Sequence, residues 1–277
     1  MKRTCMFANG TPARCILINL FLLRKLIFHF VFLFFFFCRV FAQGTIQLAP
    51  PQTPSTRVFF HLSTCISFDF RQPGANIRYA LNGDEPDESS AIYKEPICIS
   101  GSVVLKAKSF AKGFISSETI TVKCIKTKDA IKSVSGTNPE EPYNKGGLSA
   151  IIDKLAGGKS IRERWLGFRS DTVVWEIWFF KKQKLKKIHI SLMQAQGSWI
   201  FYPVKMELIS FSGKMLGLGF FNGSTGPATD ETRIFSFPID RKLKGVIIRI
   251  QNYSSIPDWH SGKGNKPWLF VDEISVE

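Results

Sequence analysis

Beyond residue 57 the apolar residues of this chain fall in short runs that alternate with polar ones at period two, a strand pattern that leaves no place for long helices. Ile66/Phe68/Phe70, Ile77/Tyr79/Leu81, Val103/Leu105/Ala107 and Ile120/Val122/Cys124 come first, each bounded by Gly, Pro, Asn or Asp. A second set follows residue 146: Val173/Trp175/Ile177/Phe179, Ile188/Ile190/Leu192, Val204/Met206/Leu208, Val246/Ile248/Ile250 and the run from Trp268 to Val276. Leu148 to Leu155 is the one segment that suits a helical turn. The pattern predicts an all-β chain, with a small sandwich followed by a larger jelly-roll sandwich, each strand short and separated from the next by a turn.

The segments between and before these sets divide the chain further. Residues 43–56 hold the spacer Leu48-Ala49-Pro50-Pro51-Gln52-Thr53-Pro54, whose prolines cannot donate to a central strand, so folding is expected to start after it. Residues 128–142 carry Ser-Val-Ser-Gly-Thr-Asn-Pro-Glu-Glu-Pro, poor in apolar residues, and are expected to link a first domain at 57–127 to a second at 143–277. Residues 1–42 read as a signal peptide: Arg24-Lys25, then the apolar run Leu26 to Cys38, then Val40 and Ala42 as small residues ahead of a cleavage site before Gln43. The run is shorter than the roughly 20 residues a spanning helix needs. An uncleaved anchor is the alternative, because Cys15 to Leu23 is also apolar. Either way the body is expected to be exported, to a periplasm, a cell surface or the medium.

Charge and cysteines follow from that division. Of 37 basic residues six lie in the leader, which has no acid, so the body's remaining 31 against 22 acids leave it nine positive. Only Cys65, Cys98 and Cys124 stay in the body, enough for at most one intramolecular disulfide and without metal spacing. Small buried residues on strands are the expectation, which fits Cys124, on a face with Ile120 and Val122, better than Cys65, on a face with Ser67 and Asp69.

Two stretches carry family resemblances. Ile77-Arg78-Tyr79-Ala80-Leu81-Asn82-Gly83-Asp84-Glu85-Pro86, then Tyr93, Pro96, Ile97 and the strand Val104 to Lys108, resembles the small fibronectin-III/Ig-like sandwich found C-terminal in chitobiase and β-hexosaminidase families. From Tyr143-Asn144-Lys145-Gly146-Gly147 to Glu277 the chain resembles the discoidin-like, galactose-binding-like domain that ends many Bacteroidetes family 20 glycoside hydrolases. The matches include Trp165-x-Gly167-Phe168, Ile200-Phe201-Tyr202-Pro203, Asp258-Trp259-His260-x-Gly262-x-Gly264 and Trp268-Leu269-Phe270-Val271-Asp272-Glu273-Ile274. The order of the two modules matches those enzymes, while a catalytic barrel of around 250 alternating strands-and-helices residues has no counterpart in the body. The resemblance implies a non-catalytic carbohydrate-binding accessory protein for amino-sugar or galactose-type glycans. It also implies one structural Ca²⁺ between an early loop and the last strand, with Asp153 and Glu273 at the carboxylate positions and Lys154 where glycine is usual.

The residues themselves point the same way. Asp84-Glu85 sits in a turn, and strict alternation would send Asp272 and Glu273 to opposite faces, so neither dipeptide forms the carboxyl pair of a glycoside hydrolase. Gly157-Gly158-Lys159-Ser160 lacks the first glycine of a P-loop, where Asp153 stands. His61, His189 and His260 have no metal spacing, and His189, between Ile188 and Ile190, is expected on an exposed strand face. Lys181-Lys182-Gln183-Lys184-Leu185-Lys186-Lys187 is expected to be a solvated hairpin turn that also guards a sheet edge, with an anionic polymer other than nucleic acid as the alternative partner. The loop Ile256 to Gly264 is the main glycan candidate: Trp259 to stack on a sugar ring, His260 and Asp258 to bond its hydroxyls; the alternative packs Trp259 under its own loop, with His260 capping a backbone group. Trp165, near Arg162, Arg164 and Arg169, is the second, with a core ring beneath surface arginines as the expected reading. A protein partner, at the cell surface or a glycoside hydrolase, is the alternative occupant, in a chain that serves as a spacer or docking tail.

Overall fold

The computed structural model describes residues 46–158, 160–221 and 230–277; the leader lies outside the described residues, which contain strands, turns and two short 3₁₀ turns. None of the described helices is long and apolar enough to cross a membrane. Residues 47–277 form one compact unit.

The first sandwich is built from β1 (Arg57–Phe60), β2 (Thr64–Ile66), β3 (Asn76–Ala80), β4 (Ala91–Ile92), β5 (Ile97–Ile99), β6 (Val103–Phe110) and β7 (Ile120–Lys126). One sheet has the order β1-β7-β6-β3-β4, with β1 parallel to β7, and β2 pairs β5 in the other. Alternation works as expected here: Leu105, Ala107, Val122 and Cys124 are buried among Phe60, Ile66, Phe68, Ile77, Ile97 and Ile99. Cys65 lies opposite Cys98 across β2 and β5, and the two form the one disulfide that three cysteines allow, while Cys124 is the buried strand residue expected. The spacer is not a free tether. Leu48 is buried and Gln52 exchanges backbone hydrogen bonds with Asp69 at 2.9 Å.

The linker is not a linker along its length either. Residues 131–136 form β8 (Ile131–Gly136), which pairs with the second domain. A 3₁₀ turn (Leu148–Ile152) follows, then β9 (Leu166–Phe168), β10 (Thr172–Gln194), β11 (Lys205–Ile209), β12 (Met215–Phe220), β13 (Glu231–Gln251) and β14 (Leu269–Val276). Two of these strands are not short. β10 runs 23 residues straight through the lysine run, which is therefore not a hairpin turn, and β13 runs 21 residues through Pro238. Register breaks at Trp178/Gln183 and Leu185/Lys187 bend them.

The bends explain how one hydrogen-bonded sheet closes on a single core. The first half of β10 pairs β8 and the second half of β13, which pairs β11 and so β12; the second half of β10 pairs the first half of β13 and β14, which pairs β9. Both halves deliver side chains to one cluster, including Trp175, Ile177, Leu185, Ile190, Leu208, Ile248 and Val271. The result is the jelly-roll sandwich expected from the sequence, with two layers made largely by the same two strands.

Candidate functional site

Two loops meet at one end of the second sandwich. The β10–β11 loop turns tightly at Gln196–Ser198 and places Trp199 in the left-handed region at φ 63°. The β13–β14 loop closes on itself: the Ile256 amide donates to the Asn265 carbonyl at 2.7 Å and the Gly264 amide to the Ile256 carbonyl at 3.1 Å, with Gly264 at φ 80°. The loops are tied together, since the Trp268 amide donates to the Trp199 carbonyl at 2.8 Å and the Phe201 amide to the Trp268 carbonyl at 3.0 Å. Gly262 lies flat against the Trp199 indole; a Cβ there would stand 2.7 Å from the ring nitrogen, so only glycine allows the approach.

Phe201 is the buried hub of this end. Its ring centroid lies 6.1 Å from Tyr253, 6.4 Å from Trp259 and 5.5 Å from His260, and Trp259 and His260 are 5.5 Å apart. Trp259, His260 and Tyr253 are half-buried, Trp199 is 37% exposed and Asp258 is exposed. The Gly262 amide donates to His260 Nδ1 at 2.9 Å, which leaves Nε2 as the protonated nitrogen of the neutral ring and the donor it can offer outward. Burial raises the Tyr253 phenol above its ordinary value, so it stays a neutral hydroxyl. The sequence pointed to Trp259, His260 and Asp258 but missed Trp199 and Tyr253. Trp199 is 60 residues away in the chain and has no local motif of its own.

Trp165 is not a surface ring. It is 2% exposed, its Nε1 donates to the Gly158 carbonyl at 2.9 Å, and its face meets the Arg57 guanidinium 4.7 Å from the ring centroid. A ring enclosed this way cannot stack on a sugar, which removes it from the site. Arg57, contributed by β1 of the first sandwich, is itself buried: it pairs with Asp272 at 2.8 Å, donates to the Gly157 carbonyl at 2.9 Å and bonds Ser191. Nothing in the sequence pattern marks it.

β14 departs from strict alternation where the two acids lie. Its pairing with β10 skips Asp272, and the core-facing residues on either side are Val271 and Ile274, so both carboxylates turn away from the core toward the loop that follows Ile152. The Gly157 amide donates to Asp272 at 2.6 Å and the Lys154 amide to Glu273 Oε2 at 2.8 Å. Glu273 is 1% exposed, and its Oε1 has no partner. Burial pushes its carboxyl up to about 10. Neither acid is open to a substrate. His189 also departs from expectation: it is buried, bonds Ser236 through Nδ1 at 2.7 Å, and burial lowers its basicity.

The orphaned Glu273 Oε1 is the feature that suits a cation. It borders a small cavity of about 20 Å³ lined also by Lys128, Asp129, Ile152, Lys154 and Ser275, whose hydroxyl is likewise unpartnered, room for one water or small ion. Asp153 lies nearby, with one oxygen taking the Leu155 amide at 2.9 Å and the other paired to Arg164 at 2.5 Å. Among the described residues no three His, Cys, Asp or Glu side chains gather as a metal site, so a Ca²⁺ here would rest on Glu273, with Asp153 joining only by giving up Arg164. Asp153, Arg162 and Arg164 also line a cleft of about 680 Å³, which has charged walls and no aromatic ring and does not include the Trp259 loop.

The first sandwich matches a known family. Residues 57–130 fit the model of the chitobiase/beta-hexosaminidase C-terminal domain. No curated protein matches the sequence. Similar solved structures include the CBM32-4 module produced by Clostridium perfringens in complex with GlcNAc-α-1,4-galactose, at 14% identity over 52% of this chain and 88% of that one, TM-score 0.32. A Streptococcus pneumoniae fucose binding module (14%, 53% and 93%, TM-score 0.35) and the family 32 CBM from C. perfringens NanJ in complex with galactose (18%, 52% and 91%, TM-score 0.31) are others. Likeness this distant leaves the ligand to be argued from the site itself.

Proposed function

We propose that the protein is an exported, non-catalytic accessory protein that binds a glycan of amino-sugar or galactose type at the Trp199–Trp259–His260 end of its second sandwich. The observation that carries this reading is a half-exposed indole beside an imidazole donor and a free carboxylate, Asp258, on loops locked by their own backbone bonds. Sugar C–H faces stack on such rings, and a loop already ordered loses little on binding. The family of the first sandwich supports an accessory role, and the burial of Asp272 and Glu273 supports the absence of hydrolysis. A glycan array probed with the full chain tests the reading: binding to amino-sugar or galactose glycans, lost in Trp259→Ala, supports it. Release of a chromogenic N-acetylglucosaminide by pure protein would overturn the non-catalytic part. A structural Ca²⁺ at Glu273 and Asp153 belongs to the same proposal; when bound, it would replace the Glu273 proton and cross-link the 152–158 loop to β14.

A second reading, a protein-docking tail, is favoured by β12. This strand ends the order of its sheet and exposes Met215, Leu218 and Phe220, the last by 67%. A co-purifying surface protein together with an empty glycan array would select it.

A further inference from the structure

The lysine run acquires a partner in the folded chain. Lys184 on β10 is the direct cross-strand neighbour of Lys242 on β13, and Leu185 of Arg241, so the five lysines between 181 and 187 lie against Arg241, Lys242 and Lys244. All eight bases are exposed. Like charges set opposite one another in a sheet are destabilising unless something offsets them. Lys184 is offset by Asp240 at 2.8 Å and Lys187 by Glu277 at 3.8 Å; the other six form no ion pair. Edge protection does not account for the cluster, because β10 and β13 are interior strands of their sheet, and β10 is flanked here by Ala130 and Glu277 as well.

The first sandwich adds to this field. The Lys128 ammonium donates to the Lys184 carbonyl at 2.7 Å, and between the two sandwiches opens a cleft of about 380 Å³ lined by His61, Ser102, Lys126, Lys128, Lys186 and Glu277. Ten bases in this region face three acids, Asp129, Asp240 and Glu277, so seven of the body's nine net positive charges are gathered at one corner.

We propose that this corner and its cleft bind an acidic polysaccharide, a chain carrying carboxylate or sulfate groups. Lysine ammonium groups are point charges that accept many anion geometries, which suits a flexible polymer whose acidic groups repeat along its length. A concave cleft with hydroxyl and imidazole groups between its lysines suits a sugar chain better than a flat bilayer. A nucleic acid would call for base-stacking rings, and Phe180 is the one large aromatic exposed in the basic strand segment. The site is separate from the Trp259 loop and does not depend on it.

The test is titration of the full chain with heparin as the sulfated probe and alginate as the carboxylated one, with dextran, duplex DNA and phosphatidylserine vesicles in parallel, across 0.05–0.3 M salt. Binding to heparin and alginate, falling steeply with salt and absent for dextran, is expected. Lys181→Gln/Lys182→Gln/Lys242→Gln/Lys244→Gln should weaken it at least tenfold and flatten the salt dependence, with an unchanged melting temperature, while Trp259→Ala leaves it intact. Equal or tighter binding to DNA or to vesicles, unchanged affinity of the quadruple variant, or no binding to either polysaccharide would overturn the proposal.

Discussion

The two sandwiches of this chain reach stability by different means. The first gathers ten residues in its core, of which Leu105, Ala107 and Val122 are wholly enclosed, and its two-stranded sheet is stapled by Cys65–Cys98. The second gathers twenty-four, most of them wholly enclosed, and the described residues hold no disulfide within it. A small domain buries a smaller fraction of its surface and needs help, here a covalent staple and a docking residue lent to its neighbour. The larger domain can leave a half-exposed aromatic cluster at one end without loss. The end proposed to bind glycan thus sits on the domain with the larger core.

The docking residue should give the largest effect. Arg57→Met leaves Asp272 buried and uncompensated, for which about 3–5 kcal/mol is expected. Urea unfolding of the full chain should show both sandwiches weakened, because the loop at Gly157 loses its anchor too. Restoring stability by pairing Arg57→Met with Asp272→Leu would show that charge burial, not lost packing, causes the fall. Cys65→Ser should come next, at about 2–4 kcal/mol. Here the comparison sharpens: calorimetry or amide exchange should place the loss in the first sandwich, with strands β10 and β13 keeping their protection. A loss spread evenly over both would mean that the two fold as one cooperative unit.

The second sandwich has its own weak point in Glu273. Its carboxyl titrates near 10 in the folded chain and near 4.5 when unfolded, so between those values the folded chain holds a proton that the unfolded chain has released. Stability should therefore decline as pH rises through that window, by roughly 1–3 kcal/mol from pH 6 to 8 with chelator present. Glu273→Gln should flatten that profile. Added Ca²⁺ should flatten it in the parent and leave the variant unmoved; a parent indifferent to Ca²⁺ would remove the ion from the account.

How far these features could be foreseen depends on whether they are local. Burial of Leu105, Val122, Trp175 and Ile248 follows from alternation, which each strand carries within itself. The disulfide, the bulge at Asp272 and the unbroken course of β10 through five lysines do not, because each is decided by a partner strand far away in sequence. The same holds at the site: Trp259 and His260 announce themselves in a Gly- and Pro-rich loop, while Trp199 joins them only through the pairing of Trp268 with Phe201. Trp165 combines the two. A core ring is what the sequence favours there and what the structure shows, but the residue that closes over it, Arg57, lies over a hundred positions earlier.

Those two tryptophans give the finest test of stability against binding. Trp165 is enclosed by Arg57, Gly157 and Gly158, so Trp165→Ala opens a cavity and should lower the melting temperature as core truncations do. Trp259 keeps part of its ring in water and rests on Phe201 and His260, so Trp259→Ala should cost much less stability. Its loss should be felt in affinity: one stacked ring contributes about 1 kcal/mol beyond area burial, so a site with a Kd near millimolar would weaken roughly fivefold, beyond easy detection. Isothermal titration with the glycan selected by the array, beside thermal melts of both variants, separates the roles. If Trp259→Ala melts as early as Trp165→Ala, the loop is a structural plug and the aromatic end is no binding site; if it melts late and still binds, the sugar rests on Trp199 instead, which Trp199→Ala would then show.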